Sequence, residues 1–104
     1  MATYFLSFRI ADKTVNGKSY AERRQAMIDA VRTKGHGFWD GTTSFLVVES
    51  GLSTQGIAAN ASAALSSSDD MLVAIDPEDM SMRYFGKVGH SEVLSSFFKF
   101  PGKA

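Results

Sequence analysis

Thr3-Tyr4-Phe5-Leu6-Ser7-Phe8-Arg9-Ile10 alternates large apolar residues with smaller or polar ones. In an extended chain Tyr4, Leu6, Phe8 and Ile10 fall on one side and Phe5, Ser7 and Arg9 on the other, the period of a strand with one face in a core. The stretch reads as the first and most central strand of a small sheet. Its far end, Arg9 and the Ala11-Asp12-Lys13 loop, is held by the best-packed element of the molecule, which makes it the first place to look for function.

Downstream, residues 11–18 read as a polar turn. Ser19-Tyr20-Ala21-Glu22 has capping-box spacing, in which the serine hydroxyl accepts from the third helical amide and the glutamate reaches back to the serine amide. A first helix is expected from Ser19. Tyr20, Met27, Ile28 and Val31 form its buried stripe, and Glu22, Arg23, Gln25, Asp29 and Arg32 face outward. Gly35 suits a left-handed cap. Phe38-Trp39 and residues 42–49 read as antiparallel strands joined at Asp40-Gly41, a dipeptide that favours two-residue hairpin turns. The second of these is expected to be buried on both faces over residues 45–48. Ser53 is the expected N-cap of a second helix with Ile57, Ala58, Ala61, Ala64 and Leu65 inward. Ser66-Ser67-Ser68-Asp69-Asp70 reads as a loop into the apolar strand Met71-Leu72-Val73-Ala74-Ile75. Residues 82–88 alternate as a short edge strand. A terminal helix over 91–98 carries Val93, Leu94, Phe97 and Phe98 on one side and is stopped by Pro101.

Strand-helix-strand given twice, with the hairpin between, is the split βαββαβ arrangement of a ferredoxin-like α+β fold. The expectation is one domain over residues 1–104, with a four- or five-stranded antiparallel sheet, two helices on one face, and a short C-terminal strand and helix. The length suits one core. Eleven basic residues balance eleven acidic ones, which withdraws the composition argument for nucleic-acid or anionic-membrane binding and leaves only a local basic patch to carry it. There are no cysteines, which excludes disulfides, thiolate metal sites and cysteine nucleophiles. No apolar run approaches the ~18 residues that span a bilayer, so a cytoplasmic protein without a membrane partner is expected.

The order of elements, the opening Tyr4-Phe5-Leu6-Ser7-Phe8-Arg9-Ile10, Phe38-Trp39, Thr43-Ser44-Phe45-Leu46-Val47, Asp69-Asp70 before an apolar strand, and Tyr84-Phe85-Gly86 together resemble the SinR-family proteins, relatives of the Cas-two and VapD group. The resemblance covers nearly the whole chain as a pattern. It implies a ferredoxin-like subunit that forms a homodimer through its sheet and interacts with nucleic acid. Nuclease members of that group hold a divalent cation with an aspartate at the end of the first strand. Arg9 stands at that position, and a guanidinium cannot ligate a metal, so a non-catalytic protein is expected, with no cofactor. Two other readings stand beside it: a metal-dependent endonuclease using Asp12, the weak catalytic candidate, with a divalent cation, and a protein-interaction module of a phage or mobile element.

Arg9, Lys13, Arg83, Tyr84 and Lys87 are the candidate nucleic-acid contacts. Arginine matches phosphate bidentately, and Arg83, Tyr84 and Lys87 place charge and an aromatic ring on one expected edge strand. The structural alternatives are an ion pair for Arg9 and edge protection for the cluster. Trp39, Phe97, Phe98 and Phe100 are the candidate dimer-interface residues. His36 and His90 have no second ligand at metal-binding spacing, and Asp76, Glu78 and Asp79 read as a turn.

Overall fold

The alternation at residues 3–10 becomes β1 (Ala2–Arg9) of a computed structural model that describes residues 1–104. The elements that follow are α1 (Tyr20–Val31), β2 (Phe38–Trp39), β3 (Phe45–Ser50), α2 (Thr54–Ser62), β4 (Met71–Asp76), β5 (Ser81–Gly86), α3 (Ser91–Ser95) and β6 (Phe100–Lys103). They build an α+β fold with one six-stranded sheet in the order β2-β3-β1-β4-β5-β6. β1 lies inside the sheet, antiparallel to β3 and to β4.

Both long helices start where a hydroxyl can cap them. Ser19 accepts from the Glu22 amide at 3.1 Å while Glu22 accepts from the Ser19 amide at 3.0 Å, and Ser53 accepts from the Gly56 amide at 3.0 Å. α1 and α2 cover the face that carries Tyr4, Leu6 and Phe8. There, Leu6, Met27, Leu46, Ile57 and Leu72 are almost fully enclosed, each contributing roughly 1.5–3 kcal/mol of transfer free energy. Ala58 and Ala61, also fully buried, let α2 lie close to the sheet. Tyr4 reaches through this layer to donate to the Leu52 carbonyl at 2.5 Å, and burial pushes its phenol pKa up.

Several expectations are corrected. The sheet has six strands and is mixed, because β6 pairs with β5 in parallel: Pro101, read as a stop, sits in an outer strand. An edge strand tolerates proline when the missing N–H faces away from its neighbour. The helix before it ends at Ser95. The β2–β3 hairpin exists, but residues 40–44 lie between its strands, so Asp40-Gly41 does not make a two-residue turn. β3 is buried on one face only, through Leu46, Val48 and Ser50. Arg23, expected in solvent, is 3% exposed.

A parallel pair needs a crossover, here residues 87–99 with α3, and because β5 to β6 steps across the sheet in the reverse sense to β1 to β2, right-handed connections put it on the side opposite α1 and α2. Val73 and Met82 point to that side, lie outside the main core cluster, and are nevertheless buried. The crossover therefore covers the β4-β5-β6 half of that face. The β2-β3-β1 half carries no element.

Candidate nucleic-acid interface

At one end of the sheet the last residue of β1, the first of β4 and the last of β5 stand in register, Arg9 opposite Met71 and Met71 opposite Gly86. Asp70, fully buried just before β4, ties this end together. Its carboxylate accepts from the Arg23 guanidinium at 2.5 Å, the Ala11 amide at 2.8 Å and the Ser66 amide at 2.7 Å, and its carbonyl accepts from the Lys87 amide at 2.9 Å. Arg23 donates onward to the Ala11 carbonyl at 2.7 Å and the Lys13 carbonyl at 3.3 Å. One ion pair thus fixes the chain on either side of the strand ends. Gly86 lets the backbone approach: its φ is +80°, and a Cβ there would lie 2.1 Å from the Asp70 carbonyl oxygen.

Arg9 is exposed on the face opposite α1 and α2. The protein's ion pairs are Lys13–Asp69 and Arg23–Asp70, so Arg9 has no carboxylate partner in its own chain. Residues opposite one another across a ladder share a face, which puts Ser7, Val73, Tyr84 and Lys103 in the row next to Arg9. Lys87 follows Gly86 directly. Arg9, Tyr84 and Lys87 therefore come to the same end of the sheet, together with Lys103, which the sequence did not single out.

Two other candidates are committed elsewhere. Lys13 binds Asp69 at 2.6 Å, and hydrogen bonds from Lys13 and Ser66 hold the Asp69 carboxyl below its usual range. Arg83 lies on the opposite face, in register with Ala74 and Leu6: it donates to Gln55 at 3.0 Å and to the Met82 and Phe100 carbonyls at 2.8 and 3.0 Å. Asp12 is exposed in the loop after β1.

The bare half of the face opposite α1 and α2, over β2, β3 and β1, carries an aromatic cluster. Phe5 and Phe45 stand 5.8 Å apart between ring centroids, and Trp39 meets Phe45 edge-on at 6.4 Å. Trp39 is 50% exposed. In the crossover beside it, Leu94 and Phe98 are half-buried, while Val93 and Phe97 are 52% and 71% exposed and four residues apart. Of the four expected interface residues, Trp39 and Phe97 are thus uncovered on this side. Phe98 is half-buried, and Phe100 is on the α2 side of β6 beneath the Lys99 ammonium. The alternation of β1 already puts Phe5 on this face; Phe45 was missed as a member of the patch, because residues 45–48 read as buried on both sides.

A groove of about 640 Å³ lies elsewhere, between α1, the Val15–Lys18 turn and the end of α2. None of the expected site residues lines it. No group of three or more histidine, aspartate or glutamate side chains is assembled in the molecule, and no helix is long and apolar enough to cross a membrane. No family model matches the chain, and comparison with curated proteins and with solved structures yields no match either.

Proposed function

We propose that this chain is a non-catalytic binding protein of the Cas-two-like kind, with a ferredoxin-like core, that works as a homodimer and engages nucleic acid at the Arg9 end of its sheet. The order β2-β3-β1-β4, with α1 and α2 on one side, supports the ferredoxin-like reading; β5, α3 and β6 extend it.

The observation that carries the proposal is the division of the face opposite α1 and α2 into two halves, three strands bare with an aromatic cluster and three strands covered by the crossover. A second copy, turned about a two-fold axis parallel to the strands, sets its covered half on the bare half of the first. Each Val93–Phe97 ridge then meets the partner's Phe5, Trp39 and Phe45, which removes the most exposed apolar groups of this side from water together. The strands of the bare half hold 2, 6 and 8 residues, which at about 3.3 Å per residue and about 4.8 Å between strands give about 250 Å² per bare half. Two halves, each counted on both partners, total about 1,000 Å², the least that a specific interface buries and the size of a weak, reversible one. Near-zero net charge opposes such pairing little.

Light scattering behind size exclusion tests the proposal, run beside fluorescence anisotropy of labelled single- and double-stranded oligonucleotides at two salt concentrations. The expected mass is twice 11.3 kDa, falling to the single-chain value in Phe45→Asp with an unchanged far-UV spectrum. Salt-sensitive oligonucleotide binding is expected without cleavage in magnesium or manganese. A dimer that binds no oligonucleotide reassigns the protein to a protein partner, and a monomer with a bare aromatic face refutes the assembly.

A further inference from the structure

Resting on that homodimer, we infer that the two Arg9 side chains, one from each copy, form a single phosphate-binding clamp on the dimer axis. β1 and β4 are the middle strands of the sheet, so an axis that places covered half on bare half runs between them, and Arg9 stands on β1 beside it. With one helical layer between them, the two sheets lie about 20 Å apart, twice the usual ~10 Å layer spacing. Two extended arginines reaching inward from opposite walls span most of that gap and leave a space the size of a phosphate. The slot is open at the sheet end, because β1 stops at Arg9 and the chain turns away through Ala11, pinned by Asp70 and Arg23.

The chemistry of the slot fits an oxyanion. Arg9 has no carboxylate partner, and Ser7, exposed two residues before it on the same face, offers a hydroxyl donor. Tyr84 and Lys103 share the adjoining row and Lys87 adjoins the end of β5. Of the carboxylates at this end, Asp69 is neutralised by Lys13 and Asp70 by Arg23, while Asp12 sits in the exposed loop beyond β1 and Asp40 in the exposed connection after β2. Two guanidinium forks facing one phosphate satisfy four of its acceptor positions bidentately, an arrangement that neither arginine provides alone. The class of ligand is a phosphate group, either a phosphodiester of a nucleic-acid strand threaded through the open end or a free anion such as pyrophosphate.

The test uses the full chain, with a labelled twelve-nucleotide single strand followed by anisotropy and pyrophosphate followed by calorimetry, and with the mass of every variant measured alongside. The expected result is one ligand per two chains. Arg9→Ala remains a dimer and loses at least tenfold in affinity, and its dependence of log affinity on log salt is shallower by about 1–2, one contact per arginine removed. Arg9→Lys keeps the charge without the fork and recovers only part of the loss. Phe45→Asp, a monomer, loses the site with Arg9 intact. Binding of the strand assigns the clamp to nucleic acid, and binding of pyrophosphate alone assigns it to a free anion. A wild-type dimer that binds neither, an Arg9→Ala variant that binds as wild type, or one ligand per chain overturns the clamp while leaving the dimer standing. A monomeric wild type removes the dimer and the clamp with it.

Discussion

Replacing Asp70 by alanine removes the one group that accepts from Arg23, Ala11 and Ser66 at once. Asp70 is fully buried and Arg23 is 3% exposed, so the substitution leaves a guanidinium charge and two backbone amides without their acceptor in the interior. Breaking a buried pair from one side costs about 3–5 kcal/mol, and orphaned amides add to that, about 1–3 kcal/mol each before relaxation or water entry. A domain of this size has roughly 5–15 kcal/mol in total. Asp70→Ala is therefore expected at about 5 kcal/mol or more by the sum of these terms, a fall in Tm of at least about 20 °C. Arg23→Met is expected to cost less, because Asp70 keeps two amide donors and Met fills much of the arginine stem's volume. Urea titration of both variants, with hydrogen exchange at Ala11 and Ser66, measures the asymmetry. Equal losses, or a loss below about 1 kcal/mol for Asp70→Ala, would refute the reasoning that the carboxylate is the hub of this end of the sheet.

Gly86→Ala combines an unfavourable positive φ with a Cβ that would strike the Asp70 carbonyl oxygen, so a loss of several degrees in Tm and faster exchange at the Lys87 amide are expected, read by calorimetry and NMR. Ser53→Ala removes the hydroxyl cap of α2 and should cost about 0.5–2 kcal/mol in a urea titration. Asp69 and Glu22 both have carboxyl pKa values held below their ordinary 3.8 and 4.5 by hydrogen bonds, from Lys13 and Ser66 for the first and from Ser19 for the second. The unfolded chain takes up these protons first, so the stabilisation is complete above those ordinary values and disappears as pH falls through the lower folded-state values. A thermal-melt series should show Tm flat from neutral pH to about 5 and falling below it, with a smaller acid-dependent fall in Asp69→Asn.

Local rules in the sequence reached most elements. The alternation of residues 3–10 placed β1 inside the sheet, and the hydroxyls of Ser19 and Ser53 marked both long helices, because caps and periodicity are short-range. What escaped was long-range. Arg23 reads as a solvent residue on its own helix, and its partner Asp70 lies 47 positions away in a serine-rich loop, so no local pattern pairs them. β6 escaped because Pro101 normally ends an element, and only the presence of β5 beside it makes an outer strand there. The same reason misplaced Arg83: an arginine on an edge strand faces water, but β6 covers that edge and Gln55 of α2 holds the guanidinium. At the site, the charge of Arg9 was legible, while its grouping with Lys103 depends on the parallel β5–β6 register.

Trp39 is the only tryptophan, and it stands half-exposed on the bare half of the sheet. Its fluorescence across a dilution series, with iodide quenching at each concentration, therefore reports directly on the face that the homodimer is proposed to use. The expected result is a blue-shifted, quencher-protected emission at high concentration that moves to the red and becomes quenchable on dilution, with the same midpoint as the change in mass. An emission that stays exposed while the mass is that of a dimer would place the interface elsewhere and contradict the proposal.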